Sequence, residues 1–402
     1  MANFDDLETR NMTIRKADQL SQLQAQISHA QKNCSYYTDL KNVDSLTDLS
    51  KLPITRKSDL ADLQTNQNPF AGLNAIPVQQ MKNLFLSPGP IAEPMGQAAN
   101  EHRLARAMNA ANISNQDRVL NCFSYHHTPA GLMFESAAIN LGCPVYPGGI
   151  GQRDDQIKAI THFMLTAYVG TPDFLKLIVE KAQELKVDIS SLNKALVTGG
   201  PFFPALKEFY KAQNIAVKEC YATADVGLIA YQDDEIGLVI DEDVIVEIVT
   251  PGTGNVVADG EVGEVVVTLL TNQTYPLIRF ATGDLSAFIA ENISTNRTNK
   301  RLKGWMGRAD QTCKIKGMFV HPKQVAQIIV TSGNISKARL VVDNVQGQDQ
   351  ATLICETSAN FDITQVTEIV KNITKISVKV ELTKPNSLPN DGIIIEDKRD
   401  YS

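Results

Sequence analysis

Three short segments of this sequence group residue types that could bind a ligand with a flat ring and a diol. Residues 199–201 (Gly-Gly-Pro) lack bulky side chains, so a ring could lie directly against the backbone there. Residues 221–225 (Tyr-Ala-Thr-Ala-Asp) offer an aromatic face, a hydroxyl and a carboxylate. Residues 279–284 (Arg-Phe-Ala-Thr-Gly-Asp) end in a carboxylate that can accept hydrogen bonds from a ribose diol. Taken singly, each segment is better explained as an ordinary turn, because Gly-Pro and Thr-Gly-Asp sequences form turns in many proteins.

The elements around these segments predict an α/β fold. Between residues 119 and 213, short apolar runs alternate with helical stretches, which predicts parallel strands joined by crossover helices. Residues 237–290 switch to β-branched alternation with tight turns, typical of an antiparallel sheet or a small β-barrel-like subdomain. Residues 311–402 read as a separate, small α+β domain, which sets a boundary near Asp310. Because ligands bind beyond the carboxyl ends of strands in open parallel sheets, loops that follow strands are where a site is expected.

The composition excludes several classes of function. The 402 residues include 38 Lys and Arg against 45 Asp and Glu, a net charge of −7 without a dense basic cluster, so a nucleic-acid partner is not expected. No apolar run approaches the roughly 18 residues that cross a bilayer, and the first residues are acidic where a signal peptide would be basic. The six cysteines lack the spacing of a zinc site or a disulfide framework. We therefore predict a cytoplasmic protein without a membrane partner.

Further motifs complete an ordered series along the chain. They are Gly-Arg-Ala-Asp-Gln at 307–311, Lys-Ile-Lys-Gly at 314–317 and Ser-Leu-Pro-Asn-Asp-Gly at 387–392. Together with the three segments above, and with Leu-Pro-Ile-Thr-Arg-Lys-Ser-Asp-Leu at 52–60, they resemble the adenylate-forming (AMP-binding) superfamily, and more narrowly its phenylacetate-CoA ligase-like branch. The resemblance implies an enzyme that activates a small, aromatic or other carboxylic acid with ATP and Mg²⁺ to an acyl-adenylate. The acyl group would then pass to coenzyme A.

The resemblance also implies a role for each matching residue. AMP or ATP would contact residues from several motifs: Gly199, Gly200, Pro201, Tyr221 and Ala222 at the adenine, Thr223 at the α-phosphate, Asp284 at the ribose, and Arg308 at the ribose or phosphate. Thr223 and Asp225 would be catalytic, and Asp225 stands where the family has a Glu that helps to hold Mg²⁺. Asp310 would be the hinge between a large domain (1–310) and a mobile C-terminal domain (311–402), whose Lys316 and Gly317 would line the path of coenzyme A.

Two positions depart from the family pattern. The phosphate loop, which in the family supplies hydroxyls and a Lys, corresponds here to Leu-Ser-Pro-Gly-Pro-Ile-Ala-Glu-Pro at 86–94, where Ser87 and Gly89 remain and Glu93 replaces the cation. Near the C-terminus, Ile393 replaces the Lys that bridges the carboxylate and the α-phosphate, and Lys398 is only a weak substitute. Losing a transition-state cation commonly costs several kcal/mol, so we predict reduced or altered activity.

A pocket for the acid is predicted after the apolar run at 119–123. Tyr125, His126 and His127 lie at the position where this branch builds the wall of its acid pocket, and Gly148 and Gly149 suit a second wall close to a flat substrate. An equally weighted alternative is that the two adjacent histidines cap and pack the following helix.

Two functions stay open on the sequence. The first is an acid-CoA ligase that uses ATP, Mg²⁺ and coenzyme A, with a homodimer consistent with the resemblance. The alternative is a non-catalytic relative that binds a nucleotide or an acyl-CoA as a sensor or partner protein. A nicotinamide-dependent oxidoreductase is excluded, because no Gly-x-Gly-x-x-Gly motif opens a helix after a strand.

Overall fold

The computed structural model describes residues 3–87, 90–290, 296–345, 348–358, 363–389 and 393–399. The chain divides into two compact units, the first comprising residues 1–202 and 206–305 and the second residues 203–205 and 306–402. Of the helices in the described ranges, none has the length and apolar content that crossing a bilayer requires.

Helices and strands alternate along most of the chain. The helices within the described ranges are α1 Met12–Asn33, α2 Lys57–Leu63, α3 Leu104–Ala110, α4 Ala130–Asn140, α5 Arg153–Phe163, α6 Pro172–Leu185, α7 Pro204–Ala212, α8 Pro322–Ser332 and α9 Ile363–Thr374. The strands there are β1 Thr55–Arg56, β2 Asn83–Ser87, β3 Ile91–Met95, β4 Val119–Asn121, β5 Val145–Pro147, β6 Ala167–Gly170, β7 Lys194–Val197, β8 Ala216–Thr223, β9 Gly227–Gln232, β10 Leu238–Ile240, β11 Val244–Val249, β12 Gly263–Leu269, β13 Phe280–Ser286, β14 Arg301–Leu302, β15 Cys313–Ile315, β16 Met318–Val320, β17 Lys337–Val345, β18 Gln348–Glu356, β19 Lys379–Thr383 and β20 Ile395–Asp397.

An eight-stranded mixed sheet organises the first unit, in the order β14-β10-β9-β8-β7-β6-β4-β5. Five neighbouring strands of this sheet are parallel, with helices in the connections between them: β5, β4, β6, β7 and β8. The other three strands, β9, β10 and β14, are antiparallel to their neighbours. The central strands β4 and β6 are buried along their whole length, as expected where both faces of a parallel sheet are covered. The predicted α/β fold is confirmed.

The antiparallel segment predicted at 237–290 contributes to two sheets. Its first strand, β10, joins the eight-stranded sheet, while β11, β12 and β13 pair with one another and β1 adds in parallel to β13. Within the described residues this four-stranded sheet is open, in the order β1-β13-β12-β11, and does not close into a barrel. Its strand β12 is buried throughout, so the sheet is part of the core of the first unit.

The hairpin of β2 and β3 carries the segment that corresponds to the phosphate loop. In this hairpin Ser87 pairs with Ile91 and Phe85 with Glu93. Gly89, predicted to bind the nucleotide, lies outside the described residues.

The second unit has its own four-stranded sheet, in the order β19-β18-β17-β20, and the hairpin of β15 and β16. Helices α8 and α9 pack on the same apolar cluster as β17 and β18 through residues such as Val325, Ile328, Val366 and Val370. This separate core is what a small α+β domain requires.

Candidate active site

A tyrosine, a carboxylate and an indole meet where β8 ends. The hydroxyl of Tyr221 donates to Asp284 Oδ2 at 2.8 Å and lies 3.3 Å from Thr282 Oγ1. The indole N–H of Trp305 donates to Asp284 Oδ1 at 3.0 Å. Tyr221 and Asp284 are both buried, with 7% of their surface exposed. Both oxygens of the Asp284 carboxylate are therefore engaged by donors from β8 and from the segment after β14.

The glycines at the end of β7 lie beside this cluster. Val197, the last residue of β7, pairs with Glu219 on β8, so Tyr221 is two residues beyond the level at which β7 ends. Gly199 has a φ of +73° and is exposed. A Cβ atom added at Gly200 would make ordinary contacts of 3.6–3.8 Å with Pro172 and Asp173. Residues 199–201 follow β7 at the edge of the sheet where Tyr221 lies on β8, and their contact with an adenine stays a prediction.

Two carboxyl groups, Glu93 and Asp225, form a buried pair that we call the acid pair. Asp225 lies in the loop between β8 and β9, and Glu93 lies on β3. Only 1% of Glu93 and 4% of Asp225 is exposed, and the two carboxyl groups are in hydrogen-bonding contact. The hydroxyl of Ser87 donates to Glu93 Oε2, and the ammonium group of Lys57 donates to Asp225 Oδ2. Glu93, placed by sequence at a phosphate loop, thus contacts the residue predicted to hold Mg²⁺.

The surroundings of the acid pair favour a bound proton. Burial and the charge of Asp225 raise the pKa of Glu93 to about 8, against the lowering effects of Lys57 and Ser87. Near pH 7 Glu93 therefore holds a proton, and the ammonium group of Lys57 lies against Asp225. Removing that proton would leave an excess charge in a buried site, which is costly.

Lys57 is a functional candidate that the sequence did not single out. Its side chain is 22% exposed, so the ammonium group reaches both the acid pair and solvent. Lys57 and Asp225 are 168 residues apart in the chain, and no local spacing links them. The one sequence signal is that Lys57 lies within the 52–60 motif that resembles the phenylacetate-CoA ligase-like branch.

The predicted acid-pocket residues follow β4 as expected. Asn121 Nδ2 donates to the hydroxyl of Tyr125 at 2.9 Å, and the carbonyl of His127 accepts from the amide of Leu86 at 2.9 Å. The side chains of His126 and His127 are exposed. The loop 124–128 therefore lies against the β2 and β3 hairpin, and the role of the two imidazoles stays a prediction.

The two glycines of the predicted second wall differ in their surroundings. A Cβ atom at Gly148 would lie 2.8 Å from Leu120 Cδ1, so close packing requires a glycine there. Gly149 has a φ of +60° and open space where a Cβ atom would be. Gly149 is therefore the better candidate for contact with a ligand.

In the second unit, the predicted hinge and its neighbour form an ion pair. Arg308 donates to both oxygens of Asp310, at 3.1 Å from Nε and 2.9 Å from Nη2, and the amide of Thr312 donates to Oδ1 at 2.9 Å. Burial alone would raise the pKa of Asp310, but these hydrogen bonds outweigh it and the net shift is downward. Lys316 and Gly317, with φ of +49° and +84°, form the turn between β15 and β16.

Lys398, the predicted substitute for the family lysine near the C-terminus, pairs with a neighbouring carboxylate. Lys398 is 53% exposed, and its Nζ lies 3.5 Å from Glu396 Oε1. The adjacent Arg399 is 1% exposed and pairs with Asp349 at 2.9 Å and Asp397 at 2.6 Å, so it is committed to the core of the second unit. Ile393 is 39% exposed and brings no charge.

Comparison with known proteins gives the class of the molecule. Residues 95–269 match the AMP-binding enzyme family. The chain is 27% identical to a phenylacetate-coenzyme A ligase of Aromatoleum evansii, covering 95% of this chain and 93% of that one. It is 29% identical to a phenylacetate-coenzyme A ligase of Escherichia coli K12, covering 83% and 80%. The fold matches a crystal structure of 2-hydroxyisobutyryl-CoA ligase with a TM-score of 0.82 at 22% identity, covering 98% of this chain and 92% of that one.

The fold is that of the adenylate-forming CoA ligases. The match of residues 95–269 to the AMP-binding enzyme family and the similarity to phenylacetate-coenzyme A ligases over most of the chain confirm the resemblance found in the sequence.

Proposed function

We propose that this protein is an acid-CoA ligase that forms an acyl-adenylate from a small, aromatic carboxylic acid. A carboxylate oxygen of the acid attacks the α-phosphorus of ATP, and the bond to pyrophosphate breaks. The sulfur of coenzyme A then attacks the acyl carbon and AMP leaves. The similarity to phenylacetate-coenzyme A ligases over most of the chain supports this reaction class.

The observation that carries the proposal is the hydrogen bond from Tyr221 to Asp284. It orients a buried carboxylate beside an aromatic face, and Gly199 and Gly200 follow the neighbouring strand β7. These are the contacts that an adenosine needs: a ring stacked on an aromatic surface and a diol donating to a carboxylate. Thr223, at the end of β8, would then face the α-phosphate.

Asp225 fits the divalent cation that accompanies ATP. Its Oδ1 atom is buried and receives no hydrogen bond from an N–H or O–H group in the described ranges. Hard cations such as Mg²⁺ bind carboxylate oxygen, and Mg²⁺ would neutralise phosphate charge during the attack at the α-phosphorus. Lys57, bound to the other oxygen of Asp225, would supply a second positive charge in place of the missing lysine of the phosphate loop.

Pyrophosphate exchange tests the adenylation step. Purified protein with ATP, Mg²⁺ and a panel of aryl and short-chain acids should exchange labelled pyrophosphate into ATP with at least one acid. Asp284→Ala should abolish the exchange, whereas Asp259→Ala, at an exposed carboxylate, should not. A folded protein with no exchange across the panel would contradict the proposal.

A second candidate function is a non-catalytic nucleotide or acyl-CoA sensor. It is favoured by Ile393 at the position of the family lysine, and by the engagement of Lys398 with Glu396. Under this alternative, calorimetry should detect binding of AMP or coenzyme A without turnover, and Ile393→Lys should raise the exchange rate measurably. An active wild type would exclude it.

The homodimer and the cytoplasmic location implied by the resemblance stay proposals. Light scattering of the purified protein across a concentration series would test the dimer, with a single mass of one chain as the contrary result.

A further inference from the structure

Each carboxyl group of the acid pair has one buried oxygen atom that its neighbouring donor does not occupy. The Ser87 hydroxyl donates to Oε2 of Glu93, and Lys57 donates to Oδ2 of Asp225. Glu93 Oε1 and Asp225 Oδ1 are buried and, apart from the contact between the two carboxyl groups themselves, receive no hydrogen bond within the described ranges. These two oxygens are therefore the ones that remain to bind a ligand.

Two ionised carboxylates in contact repel each other in a buried site unless a proton or a cation lies between them. A divalent cation can take that place, since Mg²⁺ in nucleotide sites is commonly held by one or two carboxylates together with phosphate oxygens and water.

We propose that Glu93 is a second protein ligand, with Asp225, of the divalent cation that accompanies ATP in this chain. The inference rests on the proposed function, because it takes the edge beyond β8 to be the phosphate site. A lysine at position 93 would supply a fixed positive charge, whereas Glu93 supplies an oxygen ligand. The contribution of position 93 to phosphate binding would therefore depend on the bound cation.

The presence of glutamate instead of lysine at position 93 has a consequence for nucleotide binding. A lysine attracts the triphosphate whether or not metal is present, whereas Glu93 without metal adds no attraction. Triphosphate affinity in this chain should therefore depend steeply on the divalent cation. AMP carries no β- or γ-phosphate and should bind with little metal dependence.

Binding of Mn²⁺ tests the ligand role without requiring turnover. Free Mn²⁺ is followed by electron paramagnetic resonance as protein is added with saturating β,γ-methylene-ATP. Glu93→Gln should weaken Mn²⁺ binding at least about tenfold, as expected when a group at a metal site is lost. The matched control Glu368→Gln, at an exposed carboxylate of α9, should leave Mn²⁺ binding unchanged. Equal affinity in wild type and Glu93→Gln would overturn the proposal.

A measurement on the wild type covers the case in which the variant does not fold. Fe²⁺ with ascorbate and peroxide cuts the backbone near a bound metal, so fragments ending near residues 93 and 225 are expected, and excess Mg²⁺ should suppress them. Cleavage confined to the neighbourhood of 225 would contradict a role for Glu93. Pyrophosphate exchange tests the ligase separately. If the wild type exchanges pyrophosphate but Glu93→Gln binds Mn²⁺ as tightly as the wild type does, only the ligand role of Glu93 is refuted. If Glu93→Gln weakens Mn²⁺ binding but the wild type shows no exchange, only the ligase function is refuted.

Discussion

At the scale of single residues, the hydrogen-bond donors around Asp284 orient its carboxylate for binding a diol. A carboxylate that can rotate loses that freedom when a ligand binds. The oxygens of Asp284 already accept hydrogen bonds from the buried Tyr221 hydroxyl and from the half-buried Trp305 indole. The position of this carboxylate is therefore fixed before the ligand arrives, which lowers the entropy cost of binding.

Removing the Tyr221 hydroxyl should weaken nucleotide binding. Tyr221→Phe keeps the aromatic face but frees one oxygen of Asp284, and calorimetry should show about three- to tenfold weaker AMP binding. Tyr36→Phe, at a tyrosine that is 40% exposed, is the matched control and should bind AMP as the wild type does. Unchanged affinity in Tyr221→Phe would mean that the hydroxyl does not organise the site.

Stability should depend on pH through Glu93. Its pKa of about 8 in the folded protein exceeds the ordinary value of 4.5, so between these values the folded state holds a proton that the unfolded state has lost. Stability is then lost as pH rises, by up to about 1.4 kcal/mol per pH unit, and levels off above the folded pKa. The charged or titratable groups that face Glu93 are Asp225, Lys57 and Tyr275.

Urea unfolding with EDTA between pH 5 and pH 9 checks this dependence. The stability of wild type relative to Glu93→Gln should fall as pH rises towards 8 and then stay constant. A difference that does not vary with pH would show that Glu93 is ionised across the whole range.

These residues also show how far a sequence reveals a site. Tyr221 and Asp284 were predicted because each belongs to a short motif whose residues are local in the chain. The contact between Glu93 and Asp225 could not be predicted, since it joins a hairpin to a distant turn and leaves no spacing in the sequence. In the sequence, Glu93 shows only that the family lysine is absent. In the structure, its contact with Asp225 makes it a candidate ligand of a cation.

At the scale of elements, the tight turn from β8 to β9 holds Asp225 in position. Thr223 pairs with Gly227 across the turn, and the amide of Val226 donates to Thr223 Oγ1 at 3.2 Å. Gly227 has a φ of +79°, and an added Cβ atom would lie 2.7 Å from the carbonyl oxygen of His102. Both the backbone conformation and the close approach require glycine.

Replacing Gly227 with alanine should lower the free energy of unfolding by more than the cost of backbone strain alone. Gly227→Ala adds a clash with backbone to the strain of a positive φ, which by itself costs roughly 1–2 kcal/mol. Gly252→Ala isolates the strain, because Gly252 has a φ of +76° and nothing within 4 Å of an added Cβ atom. Chemical unfolding should show a larger loss for Gly227→Ala, and equal losses would mean that the chain near His102 shifts freely.

The elements themselves were predicted unevenly. The parallel strands and their crossover helices follow from runs of apolar residues. The hairpin strand β3 was missed, because Pro90 and Pro94 suggest a loop, although Pro94 lies on a two-stranded sheet where a missing donor is tolerated. Antiparallel β9 was likewise not foreseen, since its run of buried residues gives no alternation.

At the scale of the whole molecule, the start of the chain is tied to its middle by buried ions. Glu8 is fully buried and accepts from Arg297 Nε at 3.0 Å and from the Tyr231 hydroxyl at 3.0 Å, with Arg106 Nη1 at 3.4 Å. Arg106 also pairs with Asp5 and Asp241, whereas the shortest ion pair of Arg297 is the one with Glu8. Glu8→Gln should therefore weaken mainly the pairing of Arg297 and cost about 3 kcal/mol of stability in chemical unfolding. Glu235→Gln, at an exposed residue, should cost almost nothing, and similar small losses in both would contradict the argument.

The fluorescence of the single tryptophan should report the binding of a ligand at Asp284. Trp305 is the only tryptophan, it donates to Asp284, and it is the last residue of the first compact unit. A diol that binds Asp284 changes the hydrogen bonding and polarity around the indole, so its emission should change on titration with AMP and saturate at the calorimetric affinity. Adenosine should give the same change at higher concentration, whereas 2′,3′-dideoxyadenosine, which has no diol, should not. Emission that stays constant while calorimetry records AMP binding would place the ribose away from Asp284, and the nucleotide would then need a different site.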